Sequence, residues 1–255
     1  MEANRQTLLA KLAPLFGAQT ENLAVEALGH ILSGPEAARG VLASVVRAGG
    51  ADIGPVDRVV TQAVGEEGER PDLVGFDADG TERVLIEAKF WAGLTDKQPV
   101  GYLDRLGKAC ESGPSALLFV APEARLESLW SELSRLIEAS KCGLRFDESR
   151  EKSAIRSADV GADRWLMLVS WKDLLSGMEA QAGDAHTKMD IQQLRGLAEQ
   201  QDSEAFLPLR REELAPEFPR RLRGLQRLVD DATDQAKARG FLNTKGLNVT
   251  PWREG

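Results

Sequence analysis

The sequence predicts an α/β protein in which a mixed central β-sheet is flanked by helices and followed by a mostly helical C-terminal extension. Short apolar or β-branched runs, typical of strands, recur between segments whose apolar residues have helical spacing. Their order is helices, three strands, helix, strand, helix, strand, helix, which is typical of a sheet covered by helices on both faces. The 255 residues are 42% apolar, which is enough for a sizeable core.

The composition restricts where the protein works and what it binds. No apolar run approaches the ~18 residues of a membrane span, and Glu2, Lys11 and Pro14 interrupt any secretory signal. The two cysteines are too few for a disulfide scaffold or a Cys-rich zinc site. We therefore expect a cytoplasmic protein with no membrane partner. The net charge of −8 argues against nonspecific coating of nucleic acid but allows contacts confined to one basic strip.

The first three elements are predicted helices. Apolar residues with helical spacing cover about residues 4–17, 21–32 and 35–46. Two acidic residues of the second helix differ in position, because Glu21 borders the apolar stripe whereas Glu26 lies on the far side. Glu21 is therefore the better candidate if this helix supplies a carboxylate to a site. The alternative is that Glu21 only stabilises the helix N-terminus through the macrodipole.

Three strands follow, and the second and third form a predicted hairpin. Residues 56–64 alternate loosely and are rich in β-branched side chains, which is typical of a strand. Two further apolar runs surround the turn Asp79-Gly80. Because side chains two apart share one face of a strand, Glu87 and Lys89 point the same way, and the hairpin brings Asp72 to their edge.

This cluster of two carboxylates and one ammonium has a chemical meaning. With no His or Cys nearby, its ligands are oxygens, which Mg²⁺ and Mn²⁺ prefer. Lys89 could hold a water molecule or stabilise developing negative charge, so the cluster predicts phosphodiester cleavage. The alternative is a solvated face with a cross-strand ion pair. The apolar surroundings of Glu87 count against it, because Val84, Ile86 and Ala88 are expected to point into a core.

The segment after the hairpin is a predicted helix, from an N-cap at Thr95 and Asp96 to about Cys110. Gln98 and Tyr102 are four residues apart and would be neighbours on one helix face. Gln98 could support a metal-bound water or a phosphate, and Tyr102 could contact the backbone or a base of DNA. The alternative is an ordinary pair on a helix surface.

Three pieces of this stretch together resemble a family signature. Pro71-Asp72, Glu87-Ala88-Lys89 and Gln98-Pro99-Val100-Gly101-Tyr102 are similar to the motifs of the PD-(D/E)XK nuclease superfamily, in the Q-x-x-x-Y branch of the RecBCD-type and lambda exonucleases. The resemblance covers about residues 15–175. It implies a restriction-endonuclease-like core and a DNA nuclease dependent on Mg²⁺ or Mn²⁺, in a domain of residues 1–181. The family's distribution implies a role in bacterial anti-phage defence or restriction.

The resemblance also implies a mechanism. Water would attack phosphorus and leave a 5′-phosphate and a 3′-hydroxyl, while the lysine positions or activates that water. The implied metal ligands are Asp72, Glu87, the backbone carbonyl of Ala88 and Glu21, the implied catalytic residues are Asp72, Glu87, Lys89 and Gln98, and Tyr102 would bind the substrate.

The rest of the core is predicted from alternating strands and helices. Apolar runs predict strands over residues 115–120 and 165–170, and helical spacing predicts helices over 124–140 and 171–178. Residues 145–163 are charged and have no period, so they are predicted as a loop or an insertion.

The C-terminal extension is predicted to span residues 182–255. Arg220 and Arg221 belong to a basic strip in it, which is a candidate surface for phosphate contact. The alternative is a solvated helical face with intrahelical ion pairs. The two histidines, His30 and His186, lie far apart in the sequence, and each is expected to be structural or exposed.

Two alternatives to a DNA nuclease stay open. One is a catalytically inactive nuclease-fold module that binds or assembles within a larger complex, which the acidic charge and the extension favour. The other is an RNA-cleaving nuclease that uses the same site. DNA is the expected partner, and a partner protein or a second copy of the chain is also left open.

Overall fold

The structure is a computed structural model that describes residues 7–13, 20–61, 63–65, 68–95, 98–110, 112–140, 144–149, 154–203 and 217–241. The chain divides into two compact units, Met1–Ala205 and Phe206–Gly255. Among the described residues, no helix is long and apolar enough to cross a membrane.

The first unit contains the predicted helices and strands in the predicted order, with two further strands ahead of the last predicted strand. Its helices are α1 (Leu8–Leu12), α2 (Thr20–Ser33), α3 (Glu36–Ala48), α4 (Val100–Ala109), α5 (Leu126–Ala139), α6 (Trp171–Gln181) and α7 (Ala185–Ser203). Its strands are β1 (Arg58–Thr61), β2 (Leu73–Phe76), β3 (Glu82–Ala88), β4 (Ser115–Ala121), β5 (Asp147–Glu148), β6 (Arg156–Gly161) and β7 (Arg164–Ser170). The described part of the second unit contains α8 (Phe218–Ala238).

The seven strands form one mixed sheet in the order β1-β2-β3-β4-β7-β6-β5. Strands β3, β4 and β7 run parallel at its centre, and the pairs on either side are antiparallel. The central strand β4 is buried along its whole length, as expected for a continuous apolar run with both faces covered. The predicted α/β class with a mixed sheet flanked by helices is therefore confirmed.

Two apolar cores lie on opposite faces of the sheet. Val84, Ile86 and Ala88 of β3 pack into the core that α2, α3, α6 and α7 cover, as their alternation predicts. Leu85 packs into the other core, under α4 and α5. Because Glu87 and Lys89 have the parity of Leu85, the sheet directs them to the α4 side.

One prediction about the sheet is wrong. Residues 145–163, predicted as a loop, contain β6, which pairs antiparallel with β7. Its alternate residues Ala158 and Val160 are fully buried, but two small apolar side chains are too few to produce a visible period. Charged neighbours hide the strand further, because Arg156 pairs with Glu127 outside the core.

The boundary between the two units also differs from the predicted one at residues 181 and 182. Helix α7 packs against α1, α2 and α6 and so belongs to the first unit. Its Ile191, Leu194 and Leu197 are completely buried, although the remaining surface of the helix is polar. Of the first predicted helix, residues 8–12 are helical, and residues 4–6 and 14–17 lie outside the described part of the chain.

Candidate functional site

The hairpin of β2 and β3 brings the two predicted carboxylates to the same edge of the sheet. Leu73 pairs with Ile86, so Asp72 lies beside the end of β3. The Ala88 amide donates a hydrogen bond of 2.8 Å to Oδ2 of Asp72. This bond fixes the Asp72 carboxylate at the residue that separates Glu87 from Lys89.

Glu87 and Lys89 form a buried ion pair. The Lys89 Nζ lies 2.8 Å from Glu87 Oε1, and the two residues are only 7% and 3% exposed. The side-chain amide of Gln98 donates to the same oxygen. Among the described residues, the other oxygen, Glu87 Oε2, is buried with no hydrogen-bond partner. A buried carboxylate oxygen without a partner is costly, and a cation could compensate it.

Gln98 and Tyr102 are joined as predicted, although Gln98 is not on the helix. Helix α4 begins at Val100, and Gln98 lies in the turn before it, where the peptide bond to Pro99 is cis. The Gln98 Nε2 still donates to the Tyr102 hydroxyl at 3.1 Å, and that hydroxyl donates to the carbonyl of Arg70 at 2.9 Å. A continuous hydrogen-bonded chain therefore runs to the Glu87 carboxylate from the loop before β2.

Glu21 reaches the same sheet edge from the N-terminus of α2. Its Oε1 accepts a hydrogen bond of 2.7 Å from the amide of Phe90. Burial raises the pKa of Glu21, and the positive charge of Lys89 opposes that rise. Within the described ranges, no three His, Cys, Asp or Glu side chains are already grouped as metal ligands. The arrangement thus offers two carboxylates, Asp72 and Glu87, with Glu21 close by.

Negative charge is concentrated at this edge. Burial and, after it, the charge of Glu87 together raise the pKa of Asp72 to about 7, against the hydrogen bond from Ala88. The pKa of Tyr102 is also raised, first by burial and then by the charge of Glu87. The charge of a divalent cation bound here would offset the repulsion that Glu87 exerts on Asp72.

Two residues that sequence reasoning missed support the end of β3. Arg125 donates to the carbonyl of Phe90 at 2.7 Å, and the Trp171 indole donates to the carbonyl of Lys89 at 3.4 Å. The rings of Phe90 and Trp171 also pack at a centroid distance of 5.6 Å. A signal was available, because these residues follow the three parallel strands β3, β4 and β7, whose carboxyl ends meet at one edge.

The two predicted arginine contacts lie in the second unit. Arg220 and Arg221 are exposed on α8, and the Arg221 guanidinium is 4.0 Å from the carboxylate of Glu217. Contact of these two arginines with a phosphate stays a prediction.

Access to the carboxylates is restricted in this structure. Two open pockets among the described residues, of about 300 and 320 Å³, are lined by other side chains. Lys89 and Gln98 both occupy Oε1 of Glu87. A ligand that uses this oxygen must therefore displace at least one of them.

Comparison of the chain with protein-family models, with curated proteins and with solved structures gave no match. The fold and the site define an α/β protein with a buried cluster of two carboxylates and one ammonium at the carboxyl edge of its parallel strands.

Proposed function

We propose that the chain is a DNA nuclease of the PD-(D/E)XK type that depends on Mg²⁺ or Mn²⁺. The observation that carries the proposal is that Asp72, Glu87 and Lys89 meet at the end of β3, where the second Glu87 oxygen is buried with no partner in the described chain. The proposal includes a restriction-endonuclease-like core, for which the mixed sheet with its site at the β2–β3 hairpin is the support.

The residues present fit a hard divalent cation. Mg²⁺ usually takes one or two protein carboxylates and completes its coordination with water and substrate oxygens. Asp72 and Glu87 would hold it, and its charge would offset the repulsion that raises the pKa of Asp72. The carbonyl of Ala88 is a third candidate ligand, because the Asp72 carboxylate orients the same residue through its amide. Glu21 is the remaining carboxylate of the proposed set, and the charges of Lys89 and Glu87 both act on it.

Each side chain has a separate task in the proposed reaction. A bound cation would supply positive charge to the phosphate under attack. If Glu87 turned towards the cation, its ion pair with Lys89 would open. The Lys89 ammonium would then be available to hold the attacking water. Gln98 keeps the Glu87 carboxylate in place through its amide. Tyr102 is only 4% exposed and binds Gln98, so we assign it to positioning Gln98, in place of the direct DNA contact first expected.

The test is cleavage of single- and double-stranded DNA and of RNA with Mg²⁺ or Mn²⁺. Asp72→Asn, Glu87→Gln and Lys89→Met should each reduce DNA cleavage by more than about 100-fold, while circular dichroism shows a native fold. Glu36→Gln, an exposed carboxylate on α3, is the matched control and should cleave like the wild type. Undiminished cleavage by Glu87→Gln would remove the site assignment, and cleavage of RNA alone would support the RNA-cleaving alternative.

A second candidate function is a binding or assembly module that has no chemistry. The closed site favours a module without chemistry. Lys89 and Gln98 already bind Oε1 of Glu87, and the two pockets of about 300 and 320 Å³ lie at other residues. Calorimetric titration of Mn²⁺ into the wild type and Asp72→Ala separates the two functions. A nuclease requires binding that Asp72→Ala weakens, whereas a module without chemistry requires no metal binding in either protein.

A further inference from the structure

The two histidines of the chain meet on a single carboxylate. His30 lies on α2 and His186 on α7, and the chain contains no other histidine. The Nε2 atoms of both rings are 3.7 Å from the same oxygen, Oδ2 of Asp190. The cluster shares no residue with the proposed nuclease site and does not depend on it.

The fold explains why these three side chains converge. His186 and Asp190 are four residues apart on α7, so they project from one face of the helix. Helix α2 packs against α7 and contributes His30 from the opposite side. The histidine side chains are 73% and 78% exposed and that of Asp190 is 31% exposed, so the rings can turn and an ion can approach.

The distances are close to those of a metal-bound set. Zinc binds imidazole nitrogen and carboxylate oxygen at about 2.0–2.2 Å, so two tetrahedral ligand atoms are about 3.4 Å apart. The described side chains are not yet closed around one point, since both N···O distances are 3.7 Å. Both rings are exposed and would have to turn for their nitrogens to reach one ion together with Asp190 Oδ2. A cavity of about 320 Å³ that the three residues line leaves room for a water ligand.

We infer that His30, His186 and Asp190 form a binding site for a transition-metal ion of the Zn²⁺ or Ni²⁺ class. Imidazole nitrogen is a ligand that these ions prefer and that Mg²⁺ does not, so the site differs in selectivity from the Asp72–Glu87 pair. A bound ion connects α2 to α7 and so stabilises the first unit. Helix α2, which such an ion would hold against α7, carries Glu21 in its first turn.

The first test is calorimetric titration of Zn²⁺ into the full-length chain without a histidine tag. In excess Mg²⁺, one Zn²⁺ site is expected at these residues, because imidazole nitrogen is a ligand for Zn²⁺ whereas Mg²⁺ takes oxygen ligands. His30→Gln and His186→Gln should each weaken Zn²⁺ binding by more than about tenfold. Loss of a residue that only hydrogen-bonds to a metal ligand already weakens binding by about tenfold or more, so loss of a ligand itself should cost at least as much. Lys188→Gln, an exposed change on the same helix, and Glu87→Gln should bind Zn²⁺ like the wild type.

The second test reads the two rings directly. With two histidines in the chain, the imidazole nitrogens give two sets of NMR signals, and Zn²⁺ should shift both sets together. Zn²⁺ should also raise the Tm of the wild type but not that of the His30→Gln, His186→Gln double variant. The absence of Zn²⁺ binding, its survival in the double variant, or its loss in Glu87→Gln alone would overturn the inference.

Discussion

Replacement of Asp72 by Asn should stabilise the metal-free protein, and increasingly so as the pH rises. The pKa of Asp72 is raised to about 7 by burial and by the charge of Glu87, whereas an unperturbed aspartate has a pKa of about 3.9. One unit corresponds to about 1.4 kcal/mol, so the ionised side chain destabilises the folded state by on the order of a few kcal/mol. Asparagine stays neutral and retains an oxygen that can accept the Ala88 hydrogen bond.

The sign follows from proton binding. Between about pH 4 and pH 7 the folded chain holds a proton on Asp72 that the unfolded chain has lost, so wild-type stability falls as the pH rises through this window. The free energy of unfolding of Asp72→Asn minus that of the wild type should therefore grow from pH 4 to pH 7 and level off above it. Urea unfolding at pH 5, 6, 7 and 8 with a chelator measures this difference.

Asp77→Asn is a control of opposite sign. The pKa of Asp77 is lowered although partial burial opposes this, because Arg83 and the amide of Thr81 bind its carboxylate. Its loss should destabilise the protein above about pH 4, and the deficit should shrink as the pH falls through the lowered pKa. A difference between Asp72→Asn and the wild type that is flat, or that falls between pH 5 and pH 8, would refute the assignment of charge repulsion to this edge.

Three further changes test the fold and the site. Gly29→Ala should lower the free energy of unfolding by about 1–3 kcal/mol, because the new Cβ would lie 2.5 Å from a Thr61 methyl group. Gly40→Ala has open space around it and should raise the free energy of unfolding by about 0.5–1 kcal/mol. Tyr102→Phe removes the hydroxyl that holds Gln98 and should lower kcat of the proposed cleavage with KM little changed, so an effect confined to KM would contradict the positioning role. Arg105→Met should lower the free energy of unfolding by about 3–5 kcal/mol, because it leaves the Glu82 carboxylate in a buried ion pair without its partner; an unchanged unfolding midpoint would contradict this.

The parts of the fold that the sequence predicts are those determined by neighbouring residues. The alternation of β3 places Glu87 and Lys89 on one face, and the Asp79-Gly80 turn returns the chain so that Asp72 lies beside them. The predicted start of α4 lies several residues before the observed start at Val100. The contact between Gln98 and Tyr102 forms all the same, because residues four apart in the chain cannot lie far from each other.

Contacts between distant segments could not be predicted in the same way. The guanidinium of Arg125 binds the carbonyl of Phe90 across a separation of 35 residues, and its role depends on β4 lying beside β3. The convergence of His30 and His186 depends on the packing of α2 against α7. The sequence pattern places α7 in the C-terminal extension, so it gives no indication of this packing. Such contacts depend on sheet order and helix packing, which periodicity along the chain does not determine.

The acidic edge is closed by the groups that bind Glu87. Two carboxyl groups in a buried position need compensating charge or hydrogen bonds, and Lys89 and Gln98 supply both to one oxygen of Glu87. The second oxygen stays without a partner in the described chain, so compensation by protein groups is incomplete. A divalent ion would complete it and, by drawing Glu87 away, would release the ammonium of Lys89 for use on a substrate. In the proposed nuclease, metal binding would replace the ion pair between Lys89 and Glu87. Metal affinity and cleavage would then be lost together when either carboxylate is removed.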